Sequence, residues 1–92
     1  MERGDPSAAA VLLDVAVQRW PQAASLHYLL GNALRMSARP LDAEASLRRA
    51  IALDPAHADA SISLAHLLRE QGRMRALAEV GVAAEALEVV AG

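Results

Sequence analysis

The sequence predicts an all-α fold, a helical solenoid of antiparallel helix hairpins with five helices. The first observation is a recurring quartet. Ala43, Leu47, Ala50 and Ile51 follow the helical spacing i, i+4, i+7, i+8. The same spacing occurs upstream at Ala9, Leu13, Ala16 and Val17, a step of roughly 34 residues. It returns downstream at Ala76, Val80, Ala83 and Ala84, after a step one residue shorter. A fixed period in this range marks stacked helical units, each of which buries only one face alone. The second observation is the stripe Leu26, Leu29, Leu30, Ala33 and Leu34, which follows the 3.6-residue period of an amphipathic helix. The third is punctuation: Asp5-Pro6 and Asp54-Pro55 repeat one cap-and-proline device.

The elements follow in order. Residues 1–5 are polar and read as a disordered N-terminus. Asp5 accepts from the free N–H groups of helix one, and Pro6 at the first helical position forfeits no hydrogen bond. Helix one runs to about Arg19, where Trp20-Pro21 closes it, because the residue before proline is pushed out of the helical region. Helix two spans about Gln22 to Met36. Gly31 lies within its apolar stripe, at about 1 kcal/mol relative to alanine. The offsetting gain is a close approach of the next helix near Ala43. Ser37-Ala38-Arg39-Pro40 makes a turn into helix three, about Leu41 to Leu53. There Glu44 and Arg48 are spaced for an i, i+4 ion pair. Helix four spans about Ala56 to Glu70 with Ala60, Leu64, Leu67 and Leu68 on its apolar face. Gln71-Gly72-Arg73 is expected to end it, with Gly72 left-handed, before helix five over Met74 to Val89.

This pattern resembles the tetratricopeptide repeats. Their unit of about 34 residues expects Trp, Leu-Gly, Tyr, Ala, Phe and Pro at set offsets. Those places hold His27, Leu30-Gly31, Leu34, Ala43, Leu47 and Pro55. Leu30-Gly31, Ala43 and Pro55 match outright, Leu34 and Leu47 stay apolar, and His27 departs. The resemblance implies a right-handed solenoid of about two and a half degenerate repeats. Residues 6–23 are the second helix of a partial repeat, 24–57 a repeat, and 58–91 a degenerate repeat lacking one turn residue, all within a single domain.

Composition narrows the function. A chain of 92 residues makes one small domain, burying only roughly 60–65% of its unfolded surface. Its net charge of −2 argues against a nucleic-acid or anionic-membrane surface. Zero cysteines exclude disulfides and thiolate chemistry, and no signal peptide or 18-residue apolar run stands out, so the cytoplasm is the default. His27, His57 and His66 lack ligand spacing with one another, no Glu-x-x-His pair occurs, and the serines have no elbow or triad context. The sequence therefore predicts no metal, no cofactor and no enzyme activity.

By the resemblance, the first helix of each unit lines a concave groove for a peptide or protein partner. Its positions are Ser25, Tyr28, Leu29, Asn32, Arg35 and Met36, then Asp59, Ile62, Ser63, His66, Arg69 and Glu70. Asn32 falls where the family often grips ligand backbone with an amide that donates and accepts at once. Arg35 and Arg69, one repeat apart, offer an arginine ladder for an acidic partner or are two solvated residues. Tyr28 stands where a carboxylate clamp needs lysine, which excludes that mode. Trp20 beside a turn proline is expected to pack over a helix end, with a partner anchor as the other reading.

Both ends are unusually apolar. Val11, Leu12 and Val15 on helix one, and Val82, Leu87 and Val89 on helix five, exceed what one buried face needs. Either neighbouring parts of a longer chain cover them, or they pair between molecules as a homodimer. The leading expectation is a non-enzymatic interaction module. The alternative is the N-terminal repeat segment of a larger enzyme, of transferase or hydroxylase type, and sequence continuing past Gly92 would favour it.

Overall fold

The structure, a computed structural model, describes residues 5–91 and the side chains through Arg75. Its described residues form four helices: α1 (Pro6–Arg19), α2 (Ala24–Met36), α3 (Pro40–Leu53) and α4 (Ala58–Ala91). α2 packs most extensively on α3, and α1 and α4 flank that hairpin. The core is the meeting of Ala10 and Val17 of α1, Leu30, Ala33 and Leu34 of α2, Ala43 and Leu47 of α3, and Leu64 and Leu67 of α4. Of the α3 quartet, Ala43, Leu47 and Ala50 are fully buried and Ile51 is half-buried. Its α1 counterparts are looser, with Val17 buried and Ala9, Leu13 and Ala16 half-buried.

Gly31 explains how closely α2 and α3 approach. A Cβ there would lie 2.7 Å from Leu47 Cγ and 3.3 Å from the Ala43 carbonyl. Leu47 is fully buried, so it has no room to retreat. The helical glycine is thus required first by the buried Leu47 side chain and then by the Ala43 carbonyl, where the sequence predicts a close approach.

Local chemistry sets the helix ends. Asp5 caps α1 by accepting from the Ser7 N–H at 3.0 Å. α2 ends in a Schellman motif. The Arg39 N–H donates to the Leu34 carbonyl at 2.9 Å and the Ala38 N–H to the Arg35 carbonyl at 3.2 Å. Ala38 holds the left-handed position at φ 60°. Ser37 Oγ donates to the Ala33 carbonyl at 2.7 Å. Pro40 then opens α3 at its first turn and keeps Arg39 out of the helical region, at φ −118° and ψ 70°. Asp42, in that first turn, pairs with Arg39 at 2.7 Å, and Glu44 pairs with Arg48 at 2.8 Å as the spacing predicts.

The expectation of five helices is corrected here. α4 is one continuous helix of 34 residues, running through Gln71-Gly72-Arg73 without a turn. No described glycine has positive φ. Three local differences from the Ser37–Pro40 turn account for this. Met74 stands where Pro40 would force a break. The quartet spacing leaves this connection one residue shorter. Gln71, Arg73, Met74 and Arg75 are all good helix formers. Leu68, expected in the core, is 40% exposed. The boundaries also move slightly: α2 starts at Ala24 and α4 at Ala58.

Candidate functional site

The expected groove residues divide between α2 and α4, which are in contact. Asn32, Arg35 and Met36 are one helical turn apart on α2 and share a side. That side turns toward α4, because Arg35 Nη1 lies 3.6 Å from Glu70 Oε1. Met36 is exposed, while Asn32 and Arg35 are half-buried. On α4, Asp59, Ile62, His66 and Arg69 are exposed and Ser63 is half-buried. Ser25 and Leu29 are exposed on α2. At the C-terminal end of this surface an open cleft of about 470 Å³ lies between Arg35, Pro40, Leu67, Glu70 and Met74.

Among the described residues, two polar atoms at this site are buried without a hydrogen-bond partner: Asn32 Oδ1 and Arg35 Nε. A buried polar atom left unpaired carries a desolvation penalty of roughly 1–3 kcal/mol. Both sit on adjacent turns of α2 and both belong to the predicted groove. The Arg35 guanidinium is directed to Glu70, and Arg69 is exposed on α4.

Tyr28 plays a different part. It packs against the core, half-buried, with its ring centroid 5.0 Å from that of His57. His57 in turn caps α4, its Nδ1 accepting from the Ala60 N–H at 3.1 Å. His27 Nε2 bonds the Pro21 carbonyl at 3.0 Å and ties α2 to the preceding loop. The histidines at 27 and 57 are therefore turn fasteners, a role their sequence spacing does not advertise. The signal for His57 is its place directly before α4, three positions ahead of Ala60.

The apolar residues of α1 stand as expected. Val11, Leu12 and Val15 are 65%, 72% and 61% exposed. Val11 and Val15 edge a second cleft, of about 430 Å³, between α1 and α3, with Leu30 and Leu34 at its floor. Val82, Leu87 and Val89 lie outside the described side chains. Trp20 corrects the packing expectation: it is 56% exposed, and the Arg19 guanidinium sits 5.3 Å from its ring centroid. Among the described residues, no helix is long and apolar enough to cross a membrane.

No family profile matches the chain. No solved structure matches it either. Among curated proteins it is similar to the cellulose synthase operon protein C of Xanthomonas axonopodis pv. citri (strain 306), with 40% identity over 73 residues. That stretch is 79% of this chain but only 5% of the relative, so the chain spans about a twentieth of that protein's length.

Proposed function

We propose that the chain is a non-enzymatic interaction module of tetratricopeptide type, which holds an extended peptide or protein segment against the α2–α4 surface. The observation that carries this reading is the pair of buried, unpartnered atoms, Asn32 Oδ1 and Arg35 Nε. A rotation of the half-buried Asn32 and Arg35 side chains would bring one acceptor and one donor to the groove surface on consecutive helical turns. A peptide backbone supplies the complementary N–H and C=O, and relieves the penalty of both groups at once. Met36 on α2 and Ile62 on α4 are exposed and available for apolar contact. The cytoplasm is the compartment proposed with it.

The test is selection of peptides from a random displayed library on the immobilised protein, followed by titration of the best binder. Asn32→Ala and Ile62→Asp should each weaken binding at least about tenfold, which is ~1.4 kcal/mol. Helicity should be unchanged in both. Tyr28 is unsuitable for this test because it supports the core and His57. Equal affinity for the wild type and both variants would remove the groove from consideration.

A second reading has one observation in its favour. The curated relative is far longer than this chain, and the stretch of similarity is a small part of it. The module then acts inside a longer polypeptide, as an array that positions partners or as the repeat segment of an enzyme. The name of the relative suggests polysaccharide synthesis as the setting in which to look for partners. Sequencing the transcript across Gly92 separates the two readings.

A further inference from the structure

α1 and α3 both pack on α2 and leave a gap between themselves. Val11 and Val15 form its α1 wall, and Ala45 and Ser46 form its α3 wall. Side chains as short as alanine and serine do not reach across to α1. The space of about 430 Å³ therefore stays open above Leu30 and Leu34, which are core residues. Apolar surface continues outside the gap. Leu12 of α1 is 72% exposed, and Leu41, one turn before Ala45 on the same side of α3, is 76% exposed. Large apolar side chains gathered around one cleft mark a docking surface, unlike apolar residues scattered singly.

The charges that line the cleft do not balance. Arg39 and Asp42 cancel beside the start of α3, where Arg39 Nε and Nη2 both donate to one Asp42 oxygen, at 3.0 and 2.7 Å. Asp14, exposed on the α1 wall, has no ion-pair partner among the described residues. Its carboxylate accepts from the Gln18 amide at 3.1 Å, a neutral donor that leaves the charge uncompensated. Arg49, exposed one turn beyond Ala45, does not line the cleft. The cleft is thus apolar at its floor and carries one uncompensated negative charge on its wall.

We propose that this cleft docks an amphipathic helix of a partner protein, which seats apolar side chains over Leu30 and Leu34 and sets an arginine or lysine against Asp14. A helix suits the space because its walls are two helices, and an apolar ridge of residues one turn apart packs into the groove between them. Ala45 and Ser46 let the partner's backbone come close to α3. The basic residue follows from Asp14. Pairing there fixes the orientation of the partner and turns acidic helices away, more than it adds affinity. A second copy of this chain fits less well: its own apolar helix α1 carries Asp14 beside Val11 and Val15 and would bring a like charge to the same wall.

The docking site is separate from the peptide surface of α2 and α4. The two clefts share no lining residue, and none of the expected groove positions lines this one. Loss of binding at either surface leaves the other intact.

The test is selection from a displayed library of helical peptides on the immobilised protein, with Ala45→Trp as the counter-selection that removes binders of other surfaces. Ala45 is exposed, so an indole there fills the cleft without entering the core. The expected winners carry apolar residues one turn apart with an arginine or lysine beside them. Binding of the best of them should weaken about fivefold in Asp14→Asn and at least about tenfold in Ala45→Trp. Helicity should be unchanged in both, and Asn32→Ala should bind as the wild type does. No enriched peptide, enrichment without a basic residue, or equal affinity in Asp14→Asn overturns the proposal. Light scattering on the chain alone should give the monomer mass. A dimer that Ala45→Trp dissociates would assign the cleft to a second copy and overturn the proposal as well.

Discussion

At the scale of single residues, two positions make opposite demands on one methyl group. Gly31 faces buried Leu47 at a distance no Cβ tolerates. Gly31→Ala should destabilise the fold by about 1–3 kcal/mol in urea denaturation, although alanine is the better helix former. Ala38 carries a Cβ in the left-handed region, where it crowds its own carbonyl. Ala38→Gly should raise stability by about 1 kcal/mol in the same assay. His57 adds a third case. Its ring accepts from the third residue of α4 and stacks on Tyr28. His57→Ala should cost about 1 kcal/mol, and His57→Asn, which keeps an acceptor at the cap, should recover part of it. Equal loss in both variants would mean that stacking on Tyr28, not capping, is what the histidine supplies.

At the scale of elements, α4 is where sequence and structure part. The α2–α3 hairpin was legible because every local signal agreed: a clean stripe, a buried glycine, a turn and a proline at Pro40. The α4 segment has the same stripe and a glycine at the matching place, yet it runs straight. Periodicity reports which residues want a common face, and both a hairpin and a long helix satisfy that demand. What decides between them is Pro40 against Met74 and one residue of connection, features a pattern match weighs lightly. Met74→Pro should therefore restore the missing turn, with helicity falling by only a few residues in far-UV circular dichroism. An unfolded second half of α4 would show that segment 74–91 cannot form the hairpin. The candidate site was half legible. The positions of Asn32 and Arg35 on one side of α2 followed from the repeat, but the burial of their polar atoms and the Arg35–Glu70 pairing depend on how close α4 comes to α2.

At the scale of the molecule, the α-carbon radius of gyration is 17.2 Å and the longest extent 59 Å. A compact domain of this length has a radius of about 12 Å. A 34-residue helix is ~51 Å long, so α4 accounts for the elongation. The three ion pairs among the described residues are all at the surface. Raising sodium chloride to about 1 M should change folding stability by less than about 1 kcal/mol.

The protein's only tryptophan is exposed beside Arg19 in the loop after α1, and its only tyrosine is stacked on His57. Indole emission of the folded chain is therefore that of a ring more than half exposed to water. Unfolding will shift its colour less than it would for a buried ring, and a fluorescence melt will under-report the loss of the helices. The same ring, quiet during unfolding, becomes a clean optical reporter for anything that docks against the end of α1.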